Sequence, residues 1–225
     1  MTQSTQIVIG VLAIQGAFRE HIQHLVKAID ELGLQEKLEI SVFEVRDEET
    51  LVRCDALVIP GGESTTMSLV AQRLNLLEPL RQFIASGKPA WGTCAGLIML
   101  SSSLQNKSCD QQLLGGLDIE TTRNAFGRQL DSFIADLDYS KFIPGLTAFQ
   151  TVFIRGPVIS KILPPSPGKP KVEVLASLPE ERGSQIIAVR QGDILGTSFH
   201  PELSEDVSFH KWWVQDFVLS KITIT

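Results

Sequence analysis

Three cysteines and four histidines are the groups in this sequence best suited to nucleophilic or proton-transfer chemistry. Cys94 stands apart from the other two thiols. It follows a short strand-like run, Pro89 to Thr93, and opens a helical pattern that reads through Leu104. Glycines stand two residues before it and two after, in Gly92-Thr93-Cys94-Ala95-Gly96. A strand-to-helix turn that tight forces an unfavourable backbone on its central residue, and small neighbours let the chain close around it. The side chain is then held out at the carboxyl end of a sheet. A helix N-terminus there favours a thiolate, and the next backbone N–H can meet an oxyanion. The alternative is a glycine-rich turn with an incidental cysteine. Cys54, just ahead of an apolar run, reads as a small part-buried residue, and Cys109, in a polar stretch, as an exposed bystander.

A thiol nucleophile needs a base and a group to orient that base. His200 ends the last strand-like run, in Thr197-Ser198-Phe199-His200-Pro201-Glu202, again at a carboxyl end where α/β sites form. Two-residue spacing in extended chain would put Glu202 on the same face, where it could fix the imidazole tautomer, with Pro201 stiffening the link. His21 and His24 lie three apart in a helical segment beside Glu20. They could be metal ligands on one face, but no other ligand cluster supports a site, so a solvated helix face is expected and no metal. His210 reads as surface or core edge. A second glycine cluster, Pro60-Gly61-Gly62-Glu63-Ser64-Thr65-Thr66, sits between a strand and a helix. Its backbone N–H groups could converge on negative charge as a nest or oxyanion site, with a simple loop as the alternative. It is not a P-loop, and no G-x-G-x-x-G follows the first strand.

The elements that must position these residues read as strand, helix, strand, strand, helix, strand. Ile7 to Ala13 is an apolar, β-branched run of the kind buried on both faces of a parallel sheet. Phe18, Ile22, Leu25, Val26, Ile29 and Leu32 recur at helical spacing, with Gly33 as C-cap. Leu38 to Val45 and Ala56 to Ile59 are further strands, Thr65 to Leu74 and Leu76 to Ser86 helices, and Pro89 to Thr93 the fourth strand. The expected fold is α/β: a doubly wound, mostly parallel sheet flanked by helices. Strand-like runs at Ser132 to Leu137, Thr151 to Arg155, Val172 to Ala176, Gln185 to Arg190 and Ile194 to Ser198 suggest antiparallel additions in the second half. Residues 164–170, rich in proline, and 105–112 read as surface loops. A last helix, about Glu205 to Ser220, carries Phe209, Trp212, Trp213 and Phe217 toward a core. No repeat or linker is evident, and one domain over 1–225 is expected.

Hydrophobic residues at 43% and charged residues at 20% exclude disorder, collagen and coiled coil for the whole chain. A net charge of −6 disfavours nucleic acid as main partner. Three cysteines exclude a disulfide scaffold and favour a reducing compartment. The run Ile7 to Ile14 is too short for a membrane span and lacks signal-peptide flanks, so a cytoplasmic protein away from membranes is expected.

Taken together, these motifs resemble a class I glutamine amidotransferase domain, of flavodoxin-like fold. The nearer resemblance is to the glutaminase subunits of pyridoxal 5'-phosphate synthase. It rests on Gly10 to Gly16 with Arg19-Glu20-His21, Pro60 to Thr66, Gly92 to Leu97, Arg123-Asn124-Ala125-Phe126-Gly127-Arg128-Gln129, Val152 to Pro157, and Thr197 to Leu203. The resemblance implies a Cys94, His200 and Glu202 triad that hydrolyses L-glutamine to glutamate and ammonia, with no cofactor. It implies an oxyanion site at Gly61 or Gly62 and Ala95, and a glutamine pocket at Gly62, Glu63, Ser64, Arg123, Ile154 and Arg155. Arginine suits the substrate carboxylate and Glu63 its ammonium. It also implies a partner synthase subunit, a (β/α)₈ barrel that consumes the ammonia, docking near Gln15-Gly16 and raising a weak basal activity. An ammonia donor for histidine or purine synthesis would carry the same triad. An elbow-cysteine hydrolase or deglycase usually has histidine directly after the cysteine, where Ala95 stands. An intact triad set argues against a binding module with a decayed site.

Overall fold

In strand β1 (Thr5–Leu12), Ile7, Ile9 and Val11 enter one hydrophobic cluster, while Val8 and Leu12 enter another on the opposite face. This alternation, apolar on both sides, is what a strand sandwiched between helix layers requires. The computed structural model describes residues 5–33, 38–105, 110–123 and 132–221. Four more strands run parallel to β1: β2 (Leu38–Val45), β3 (Ala56–Ile59), β4 (Ala90–Thr93) and, far on in the chain, β12 (Ile194–Thr197). They lie in the order β2-β1-β3-β4-β12, the flavodoxin-like arrangement.

Helix α1 (Phe18–Leu32) packs with α6 (Ser208–Trp213) on one face, over Trp91, Phe199, Phe209 and Trp213. Helices α2 (Glu48–Val52), α3 (Ser64–Arg73), α4 (Leu77–Ala85) and α5 (Ala95–Leu100) cover the other, around Leu57, Ile59, Met67, Leu80 and Met99. Gly33 ends α1 in the left-handed conformation, φ 61°, as its place in the sequence predicts.

Beyond β12 the sheet turns antiparallel through β11 (Ile186–Gln191), β9 (Val158–Ile162) and β6 (Leu117–Thr122), and β5 (Ser101–Leu104) runs parallel to β6 at the edge. Strand β10 (Glu173–Ser177) pairs with β11. Strands β7 (Ser132–Leu137) and β8 (Phe149–Ile154) are not additions to this sheet. They form a separate ribbon, with Phe133 stacked on Phe153 at 4.5 Å. The fold class matches the sequence expectation, while two helices differ in detail. The helix after Cys94 stops at Leu100, because Ser101 Oγ donates to Ile98 O and Ser102 Oγ to Leu117 O, drawing the serine run into β5. The last helix begins at Ser208, whose N–H donates to Asp206 Oδ1, and from Val214 it widens into a π-helical turn that keeps Val214, Phe217 and Val218 buried. The proline-rich loop is clamped: Ser166 N and Oγ donate to Asp118, Lys169 Nζ to Gly115 O and Gly116 O. No helix among the described residues is long and apolar enough to cross a membrane.

Candidate active site

Four neighbouring parallel strands, β1, β3, β4 and β12, end on the same edge, and each is followed by one piece of the site. After β4 comes Cys94, with φ 49° and ψ −104°. That conformation costs about 1–3 kcal/mol for a residue with a Cβ, and the surroundings must hold it. Cys94 N donates to Thr197 O at 2.8 Å, tying the turn to β12. Gly96 lies so close to Ile59 O that an added Cβ would collide with it, so a larger residue would push the turn off β3. The elbow foreseen from the glycine spacing is therefore present, and the side chain it presents is 6% exposed.

After β12 comes His200. Its backbone N donates to Val152 O at 2.8 Å, so the β7–β8 ribbon fixes it from the side. Its ring Nδ1 lies 2.7 Å from Glu202 Oε1, and the other side of the ring meets Cys94. Two-residue spacing predicts extended chain between His200 and Glu202. The segment Pro201–Leu203 is instead a 3-10 turn, which swings the Glu202 carboxylate back under the ring. Burial disfavours the imidazolium, but the hydrogen bonds and charges of Cys94 and Glu202 override it and raise the His200 pKa to about 10. Burial also opposes ionisation of Glu202, yet the nearby His21 and the bond from His200 hold its carboxyl far below the usual carboxylate range.

After β3 comes the Gly61-Gly62 turn. Gly61 sits against the His200 ring and 3.4 Å from Cys94 Cβ, measured from the position a Cβ on Gly61 would take, leaving no room for a side chain. After β1 come Gln15 and Gly16, which pack on this turn: Glu63 N donates to Gln15 Oε1 at 2.8 Å, Ala17 N to Gly61 O at 3.1 Å. Gly16, at φ 92°, abuts Gly61 O.

A cleft of about 460 Å³ opens above Cys94 and His200. Its walls bring together Gly62, Glu63, Ser64, Arg123, Ile154 and Arg155, the six residues expected of the glutamine pocket, with Ala95, expected of the oxyanion site, and with Ile98 and Pro157. Ile154 O lies 4.0 Å from Cys94 Sγ. Arg123 Nη1 donates to Thr65 Oγ1. Glu63 caps α3, accepting from Thr65 N, Thr66 N and Thr66 Oγ1, and although burial works against it these bonds lower its pKa. Cys109 and residues 124–129 lie outside the described residues.

Two histidine readings need correction. His21 is fully buried, with Nε2 3.2 Å from Glu202 Oε2 and 3.1 Å from Thr93 Oγ1, and Nδ1 3.0 Å from His210 Nε2. His24 is half-buried, its Nε2 2.7 Å from Ser204 O. The signal was in the helix period: His21 stands three after Phe18 and four before Leu25, on the apolar stripe. His210 is likewise fully buried rather than at the surface or core edge, and burial with the neighbouring His21 and His24 lowers its pKa well below the usual value.

A model of the SNO glutamine amidotransferase family matches residues 11–219. The chain belongs to that family. It is 48% identical over 221 residues to the pyridoxal 5'-phosphate synthase subunit SNO1 of Saccharomyces cerevisiae, covering 97% of this chain and 96% of that one. With the pyridoxal 5'-phosphate synthase subunit PdxT of Carboxydothermus hydrogenoformans it shares 41% over 207 residues, 92% of this chain and 96% of the relative. Among solved structures, a glutamine amidotransferase crystal structure superposes with a TM-score of 0.72 at 40% identity, over 92% of this chain and 97% of that one. A glutamine amidotransferase from Thermotoga maritima, at 12% identity and TM-score 0.51, shares the fold.

Proposed function

We propose that this chain is the glutaminase subunit of a pyridoxal 5'-phosphate synthase, working as one amidotransferase domain. The observation that carries the reading is Cys94 on a positive-φ elbow, facing His200, whose far nitrogen is 2.7 Å from a buried Glu202. His200 holds the proton taken from Cys94, and the sulfur attacks the side-chain amide carbon of L-glutamine. Backbone N–H groups of Gly61 or Gly62 and of Ala95 meet the oxyanion. His200 returns the proton to the leaving nitrogen and ammonia departs, leaving a γ-glutamyl thioester on Cys94. Water then gives a proton to His200 and adds to the thioester carbon, and glutamate leaves as the thiol is reprotonated. Glu202 keeps the ring in one tautomer throughout.

Glutamine is held in the cleft by Gly62, Glu63, Ser64, Arg123, Ile154 and Arg155. Arginine is the natural partner for its carboxylate. Glu63 already receives the N–H groups of α3, and a carboxylate has lone pairs left for the substrate ammonium. Ammonia passes to a separate synthase subunit, a (β/α)₈ barrel, which docks by Gln15 and Gly16. Those two residues touch the Gly61-Gly62 turn, so docking there would act on the oxyanion site directly. The test is glutamate release from glutamine with and without a pyridoxal 5'-phosphate synthase subunit. Release that rises on adding the subunit is expected. No release in either case, or full activity alone with no gain, would overturn the reading.

A further inference from the structure

Glu202 has two carboxylate oxygens, and the triad uses one of them. Oε1 goes to His200 Nδ1. Oε2 is buried, and among the described residues no well-directed hydrogen bond reaches it. The charged or ionisable group against it is His21 Nε2, at 3.2 Å and off the line of an ideal bond, with both side chains wholly inaccessible. A buried carboxylate with one oxygen unanswered is costly, and losing a partner leaves its charge uncompensated.

We propose that His21 is a positioning residue of the triad, holding the second oxygen of Glu202 and, through that carboxylate, the His200 ring. The inference rests on the glutaminase reading above. The surrounding groups are arranged for it. A carboxylate accepts only, so His21 Nε2 carries the proton, shared between Glu202 Oε2 and Thr93 Oγ1. Thr93 directly precedes Cys94, so the same nitrogen touches both the orienting carboxylate and the elbow strand. His21 Nδ1 is then the acceptor, and His210 Nε2 donates to it at 3.0 Å. That leaves His210 Nδ1 as a bare lone pair, and among the described residues Nδ1 is the His210 ring nitrogen without a partner. A buried neutral His210 is the species this requires, and its lowered pKa agrees. The titratable groups around the pair are His200 on the β12 side, with Cys94 beyond it, His210 from α6 and His24 from α1.

The test uses the complex with the synthase subunit and compares wild type, His21→Met and His21→Gln. Methionine fills the space without an N–H, whereas glutamine can restore one at similar reach. We expect His21→Met to lower kcat for glutamine hydrolysis by about tenfold or more with little change in KM. The acid limb of its pH profile moves up, because Glu202 has lost a neighbour that lowers its pKa. His21→Gln recovers most of kcat. On a Glu202→Gln background His21→Met should add no further loss, since both changes act on one contact. Equal losses in both His21 variants, additive with Glu202→Gln, would mark a merely structural residue and overturn the proposal. Wild-type kcat and pH profile in His21→Met would do so too. Nitrogen-15 NMR of the histidine rings in the wild-type protein gives an answer independent of variant folding and of any activity. A proton on His21 Nε2 supports the proposal, and a bare Nε2 refutes it. A wild type without glutaminase activity would instead count against the function proposed above.

Discussion

Cys54 and Cys94 are both buried, both free and both beside the parallel sheet, yet their surroundings lead to opposite chemistry. Cys54 follows α2. Its thiol donates to Thr50 O at 3.3 Å and fills the space beside Gly10, where an added Cβ would come within 2.6 Å of its sulfur. Burial pushes its pKa up to about 11, against the pull of Lys88 and with the neighbouring Asp55 charge adding to the rise. Cys94 is held by a positive-φ turn at the carboxyl end of β4, against an imidazole and under an open cleft. Burial by itself makes a thiol inert. Backbone placement, a paired base and access make it a nucleophile.

The sharpest way to break this comparison is to remove each thiol, and the groups that set Cys94 apart, by mutation. Cys94→Ala should lower glutamate release by at least about 10³-fold while leaving synthase binding and ammonia-driven synthesis intact. Glu202→Gln keeps the shape but not the charge that fixes His200, and a loss of about 10³-fold in kcat is expected from steady-state glutaminase assays. Gly61→Ala would push a methyl group into the His200 ring, and a displacement near 1 Å corresponds to about 10²-fold in kcat, with a folded protein by circular dichroism. Cys54→Ala should keep kcat within a factor of about two and lower the unfolding free energy by about 1 kcal/mol in denaturant titration, because it leaves a small void beside Gly10.

The smallest effect concerns pH. A base whose folded pKa is raised stabilises the fold below its unfolded value and loses that contribution as the pH climbs through the folded value. For His200 the window runs from its ordinary 6.5 up to about 10. In Cys94→Ala the contributions of Cys94 vanish, so His200 should titrate lower by NMR. The decline of stability across that window should become shallower than in wild type.

The parallel half of the fold and most of the site were legible because one pattern marks both. Strands buried on two faces are apolar runs, and the glycines that end β3 and flank Cys94 are the residues that let the backbone approach His200 and Ile59. The antiparallel half was less legible. Strand β6 carries Asp118, whose buried carboxylate accepts its short hydrogen bonds from Ser166 and Gln191, about fifty and seventy residues further on. Strand β5 begins as the tail of a helical pattern and is captured by pairing with β6. His21 was misread because a polar residue on the apolar stripe looks like a break in the stripe until its partner from the far end of the chain, Glu202, is known.

The central claim is that Cys94 is the nucleophile. It is tested most directly by treating the synthase complex with a diazoketone analogue of glutamine and mapping the adduct by peptide mass spectrometry. The account predicts about one equivalent bound, on the Cys94 peptide, with glutaminase activity lost in step and glutamine protecting against it. Inactivation with Cys94 unmodified, or an adduct on Cys54 in the folded protein, would contradict it.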